Sequence, residues 1–499
     1  MPSRATKAPD AMDTVIDNLV DRIGRRGWPL LASVLFVVAG LIYFFRWGSV
    51  FHHNPSEWLS PGDLWDTVRA STSLVGGHLG SIYSSHSGFF SPPAFLIVLA
   101  PLSALRYRFS TTFVEFRDHG QLLARPLGFH ATSGGPYFTT TTATLGAKQF
   151  AVHPQLFIVL ALYVLILSCV ALLACDALAE RLQVPRSRRA VLSFAEGVLL
   201  WNVVVIWGHP QDAIAVAIAL YSVIFALDRR FAGAGWLFGL ALAFQPLTIV
   251  VFPILLGVSG RTKALGLALR GVLPAAVLLI GPFVADFHST YRSVVVQPAF
   301  PDTSYNHKTP WTSLAPTISG QGATTTVGGG PLRVAVLALA AGLGWVVVRW
   351  RDRPEMVVWA VAVALALRCY LEAVMTPYYI WPALAVGAVV AARSTWPRFG
   401  IVLVLAIATT ALAQSRLSLW PWWIIDVGGL TPVLAVAAHP EPSPEVAATT
   451  GSRTGRAGVA AARATRPTRP APASARARTT TTKKKRKAAR TDRKRSARS

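Results

Sequence analysis

Asp63, His209, Asp212, Gln245, Glu372 and Tyr378 are polar residues set within or beside long apolar runs, and their types could do chemistry. Polar groups in or near hydrocarbon are costly and tend to be functional. Asp63, with Asp66 and Arg69 following it within two helical turns, offers a carboxylate ionised at neutral pH. Partial burial raises the basicity of such a group, which suits a general base. The same aspartate opens a helical pattern, so a plain helix cap also accounts for it. His209 and Asp212 share one turn of the run GHPQD. Two groups of unlike pKa at that spacing can divide acid and base roles or hold a phosphate or sugar. A His-Pro at a tight turn can equally do no more than satisfy nearby carbonyls. His-x-x-Asp alone does not make a metal site, and no metal or other cofactor is assigned.

A third cluster lies in RCYLEAVMTPYYIWPAL. Arg368 and Glu372 are four apart, share a helix face and can pair. Such a pair inside a membrane either anchors helices or belongs to a site. Tyr378, Tyr379 and Trp381 suit an interfacial aromatic belt, or a surface on which sugar rings stack. The segment Tyr305–Trp311, with His307 and Lys308, is placed to act as a lid over the same region.

The elements that must position these residues are helices. The chain has 499 residues, of which 53% are apolar, and apolar runs near twenty residues recur along most of it. Each such run can cross a hydrocarbon core of about 30 Å, which takes about 20 helical residues. The expectation is an all-α polytopic membrane protein, a bundle of about twelve transmembrane helices with interfacial helices on the outer side. The predicted helices are 29–46, 153–175, 190–208, 211–227, 232–244, 246–258, 264–284, 331–350, 355–372, 378–393, 398–414 and 420–438. The first apolar run is too long for a signal-peptide core and has no small-residue cleavage site, so it is read as an uncleaved span. Cys169, Cys175 and Cys369 show neither disulfide nor zinc spacing.

Orientation follows from Lys and Arg in the short loops. With the N-terminal residues 1–28 inside, the inner loops hold Arg181, Arg186, Arg188 and Arg189, then Arg229 and Arg230, then Arg261 and Lys263. Further on come Arg349, Arg351 and Arg353, then Arg393 and Arg398. The chain then threads as a membrane domain over 29–438, with large outer segments at 47–152 and 285–330. All six residues named at the outset fall on the outer side. The run Pro93–Leu105 is short enough to be re-entrant or interfacial. Gln245-Pro246 is read as a break between two short helices, a broken hairpin, because proline removes a donor and disfavours helix before it.

Residues 439–499 hold seventeen Lys or Arg against three acids, a net +14 of the chain's +25. So little apolar surface predicts a disordered cytoplasmic tail. Its partner is anionic lipid, at roughly 1 kcal/mol per basic residue near the surface. Nucleic acid is not expected, since the run has no interleaved aromatics.

Asp63-Leu64, a small-residue helix, Leu74-x-Gly76, Ile82-Tyr83, Phe90-x-Pro92-Pro93 and Leu99-Ala100-Pro101-Leu102 together resemble the GT-C superfamily of membrane glycosyltransferases. The nearest resemblance is to bacterial polyprenol-phosphate-mannose-dependent α-mannosyltransferases. The stretch from Trp201 to Leu256 is similar to a second block of that family, with GHPQD at its Gly-Gln-x-Asn turn. The resemblance covers about residues 28–285. It departs at Asp66-Thr67, which lacks the usual Tyr, at Phe90-Ser91, where Tyr is common, and at Gln245, where Lys precedes the proline.

The resemblance implies an inverting transfer of a sugar, mannose by preference, from polyprenyl phosphate to an envelope glycolipid or glycan. It implies Asp63 as the base, and a multi-pass position in the plasma membrane. The donor's phosphate would be held by His209, Gln245 and a cation among Arg69, Arg292, Lys308 and His307, with Asp66, Asp212, Glu372 and Tyr378 lining the substrate site. Two other readings stay open from the residues alone. One is a transporter or flippase of a lipid-linked envelope precursor. The other is a non-catalytic membrane scaffold of the same build.

Overall fold

The structure, a computed structural model, describes residues 27–50, 62–85, 91–108, 154–296, 309–314, 330–373, 375–414 and 419–438, with short strands within 116–152 and 317–326. The body of the fold is helical. From the N-terminal side come α1 (Gly27–Val50), α2 (Gly62–Val75), the single turn α3 (Ser81–Ser84) and α4 (Ala94–Arg108). Next are α5 (Pro154–Ser168), α6 (Val170–Arg181), α7 (Arg186–Trp201, continued by a π turn through Ile206), α8 (Pro210–Leu227) and α9 (Phe231–Phe244). A 3-10 segment, Pro246–Val251, leads into α10 (Phe252–Ser259), followed by α11 (Arg261–Ala285) and the short α12 (Phe287–Tyr291). The last group is α13 (Gly330–Val347), α14 (Pro354–Leu371), α15 (Trp381–Ala391, entered by a 3-10 turn at Pro377–Ile380), α16 (Trp396–Leu412) and α17 (Leu419–Ala437).

Each of the twelve predicted helices has a counterpart among these elements. Among the described residues, six stretches are long and apolar enough to cross a membrane: 159–181, 186–206, 210–227, 261–285, 354–371 and 420–437. The remaining apolar helices are shorter, including 94–104, the run read as re-entrant or interfacial. Residues 116–152 also carry a four-stranded antiparallel sheet in the order β1-β4-β3-β2, from β1 (Phe116–Arg117), β2 (His130–Gly134), β3 (Phe138–Leu145) and β4 (Lys148–Val152). No strand is predicted there from the sequence. The N-terminal residues 1–26 and the basic tail from 439 lie outside the described residues.

The predicted loop 176–189 is a correction. The helices run on to Arg181 and restart at Arg186, leaving four residues between them. Asp176 and Arg189 read as loop because they are charged. They are instead buried and paired, Arg189 Nε and Nη2 donating to the two Asp176 carboxylate oxygens at 2.8 and 2.7 Å. A bidentate pair satisfies both groups and lets helix continue through them.

Gln245-Pro246 does break the apolar stretch into a hairpin. Gln245 is extended, with φ −155° and ψ 120°. Gly235 of α9 lies against Leu267 and Arg270 of α11, and Gly239 against Arg270, Gly271 and Pro274. Register that rises together means that α9 and α11 run parallel, so Pro246–Ser259 between them runs the opposite way. The two helices pack this closely because neither glycine has a side chain.

The basic loops gather at one end of the bundle. Arg181 donates to Asp228 at 2.5 Å, and Arg229 to Asp352 at 2.7 Å and to the Val258 carbonyl at 3.4 Å. Arg393 pairs with Glu355 at 2.9 Å, and Arg188 donates to the Ser394 carbonyl. The predicted inner loops therefore touch one another, as the threading requires.

Candidate functional site

The opposite end of the bundle holds the polar residues. Gly208 adopts φ +68°, a left-handed turn that glycine tolerates best, and it swings the chain from the π turn after α7 into α8. Pro210 occupies the first turn of α8, where its missing N–H has no role. This places His209 at the cap and Asp212 in the first turn, at 6% and 3% exposure. Gln211 Nε2 lies 3.1 Å from His209 Nδ1. With the amide so oriented, Nδ1 accepts and the ring proton of a neutral imidazole sits on Nε2. The other face of the ring system is fixed by Tyr378, which stacks on His209 at 4.2 Å between centroids. Trp207 lies 5.7 Å from Tyr378 and extends the same aromatic wall.

A chain of hydrogen bonds links four segments. Gln245 Nε2 donates to Asp212 Oδ1. Ser91 Oγ donates to Gln245 Oε1 at 3.1 Å, and the Tyr83 hydroxyl donates to the Ser91 carbonyl at 3.0 Å. Burial holds the Tyr83 phenol well above its usual pKa, so it stays a donor. The amide donates to Asp212 through Nε2 and accepts from Ser91 through Oε1 at once, without setting a second charge beside the carboxylate. The extended backbone at Gln245 follows from the proline after it and turns the amide out of the α9 helix.

Glu372 caps the end of α14 and is 2% exposed. Arg368 grips it twice, Nε to Oε1 at 2.8 Å and Nη2 to Oε2 at 3.0 Å. Arg333 of α13 adds a third bond, Nη2 to Oε2 at 3.2 Å. The Arg368 guanidinium lies 4.2 Å from the Tyr379 ring centroid. Arg368 then lines a small pocket with Asp212, Leu247, Leu365, Tyr378, Tyr379, Trp381 and Pro382. The pocket has room for about one water as it stands.

His209, Asp212, Gln245, Glu372 and Tyr378 thus come together at one end of the bundle. Asp63 falls in the first turn of α2, which begins at Gly62. The side chains of Asp63, Asp66 and Arg69 lie outside the described residues, as do His307 and Lys308. Leu64, next to Asp63, is buried in an apolar cluster with Ile214, Ala243 and Phe244, which flank the Asp212 and Gln245 positions. Arg292 is exposed in the π turn that follows α12. The lid segment is described only from Thr309 onward. There Thr309 Oγ1 donates to the Glu372 carbonyl at 2.8 Å and Trp311 Nε1 to the Tyr370 carbonyl at 2.6 Å, fastening the segment to the end of α14.

Sequence reasoning names Arg368 but not its place beside Asp212, and it misses Ser91, Tyr83 and Arg333 as partners. Arg333 carries no signal, because nothing in the sequence aligns α13 with the end of α14. Tyr83 and Ser91 stand in the runs that carry the resemblance, and that is the signal that could have found them. Among the described residues, no group of three or more His, Cys, Asp or Glu side chains is placed to hold a metal ion. No protein-family model matches this chain, and no curated protein matches it significantly.

Proposed function

We propose that this protein is a membrane glycosyltransferase that moves a sugar from polyprenyl phosphate to an envelope glycolipid or glycan on the outer side of the plasma membrane. About twelve of its helices would cross the bilayer. The observation that carries the reading is the convergence of Asp212, Gln245, Arg368 and Tyr378, from α8, the α9 break, α14 and the turn before α15, at the end remote from the arginine-rich loops. Loops rich in arginine stay in the cytoplasm, which assigns the polar end to the outside.

The roles follow from the side chains. Arg368 supplies the fixed positive charge that a phosphate leaving group needs, in the region where the resembling family carries a lysine before its proline. Glu372 and Arg333 hold that guanidinium in place. The His209 and Tyr378 rings offer a flat apolar face with polar edges, suited to a sugar. Asp63, in the first turn of α2, acts as base on the acceptor hydroxyl as the C–O bond to the donor phosphate breaks. The departures Ser91 and Gln245 are hydrogen-bonded to each other, so the two changes from the resembling pattern fit as a pair. The pocket must open to admit a sugar.

The test is an inventory of lipid-linked glycans in cells with and without the protein. The reading expects a truncated glycan and accumulated polyprenyl-phosphate sugar when the protein is absent. An unchanged inventory counts against it.

A further inference from the structure

Glu196 lies midway along α7, and the helical rise puts it about 15 Å from Arg186 at the arginine-rich end. Its side chain is 1% exposed, and among the described residues neither carboxyl oxygen has a hydrogen-bond partner. The other charged residues of α7 are Arg186, Arg188 and Arg189, all in the first turn. Arg189 is committed to Asp176, and Arg188 donates to the Ser394 carbonyl.

Among the described residues, the elements that pack most on α7 bring no free cation to Glu196. They are α1, α6, α15 and α16. α1 has no titratable residue before Tyr43 and Arg46, and α15 has none at all. α16 carries only Arg398, in its first turn at the arginine-rich end. α6 sets the Cys175 thiol within electrostatic reach, with Asp176, Glu180 and Arg181 further toward the arginine-rich end. An ionised carboxylate so placed would be desolvated with no compensating charge, and such a group neutralises instead.

From this placement we propose that Glu196 is an intramembrane proton-binding site, occupied at neutral pH as an uncharged carboxylic acid. Its ligand is the proton itself, and the site is separate from the sugar pocket. Gly197 beside it has no side chain and faces open space, and Val198 is 51% exposed. Only the thickness of one helix separates the acid from surrounding lipid, so a lipid-soluble carbodiimide should reach it. In that reaction the acid proton goes to a carbodiimide nitrogen and the carboxyl oxygen bonds to the central carbon, with no leaving group.

The test uses the full chain in lipid. Infrared difference spectra between wild type and Glu196→Gln are taken at neutral pH, and carbodiimide adducts are mapped by peptide mass spectrometry. Asp426 is also buried, with both oxygens unpartnered among the described residues, but it is common to both proteins and cancels in the difference. The proposal expects loss of a protonated-carboxyl carbonyl band in the variant and a carbodiimide adduct on Glu196 in the wild type. Loss of ionised-carboxylate bands in place of that carbonyl band overturns it. Should Glu196→Gln fail to fold, the wild type alone decides, and no adduct on Glu196 at neutral pH overturns the proposal.

Discussion

Gln245 serves two partners, so its side chain tests the polar chain most economically. Gln245→Ala removes the donor to Asp212 and the acceptor for Ser91, and should destabilise the protein by about 1–3 kcal/mol. Gln245→Glu should do worse, because it faces the Asp212 carboxylate with a second one. Thermal unfolding of the purified variants in detergent measures both. Arg368→Met leaves Glu372 with Arg333 alone, and breaking a buried pair costs about 3–5 kcal/mol. Arg333→Met should cost less, since Glu372 keeps both bonds to Arg368. Equal losses in the two variants would contradict this ranking. At this scale the sequence revealed which residues were unusual, because charged and amide groups stand out in apolar runs. It could not reveal their partners. Gln245 and Asp212 are thirty-three positions apart, and Ser91 is a further 121 from Asp212. Only the packing of α8 on α9, and of α2 and α4 beside them, sets those distances.

The elements were the most legible part of the molecule. The length of apolar runs gave every predicted helix a counterpart, and proline chemistry placed the break at Gln245. Charge misled only where it was paired in the interior, at Asp176 and Arg189. Reversal at the break rests on the close contact of α9 and α11 through glycine. A Cβ on Gly239 would fall 2.5 Å from Pro274 Cδ and 2.8 Å from the Arg270 and Gly271 carbonyls. Gly239→Val should therefore push α9 off α11 and cost about 1–3 kcal/mol or more. Gly342, where a Cβ meets nothing within 4 Å, is the control position, and Gly342→Val should leave the unfolding temperature near that of wild type. If both variants unfold alike, the parallel packing is wrong. The sheet at 116–152 carries no apolar alternation; its signal is the β-branched threonine run of β3, which a reading by apolar runs passes over.

Across the whole molecule, charge is divided between an arginine-rich end and a basic C-terminal segment. Residues 439–499 carry a net +14, and deleting them should weaken binding to anionic vesicles in a salt-dependent way without lowering the unfolding temperature. Vesicle co-sedimentation at low and high salt checks this. The central claim is sugar transfer from a lipid phosphate with Asp63 as the base. It is tested most directly by supplying labelled polyprenyl-phosphate mannose to membranes that contain the wild type or Asp63→Asn at equal levels. The account predicts labelled glycan with the wild type and a loss of at least about a hundredfold in Asp63→Asn, the usual scale of base catalysis. Full transfer by Asp63→Asn, or no transfer by the wild type above protein-free membranes, would contradict it.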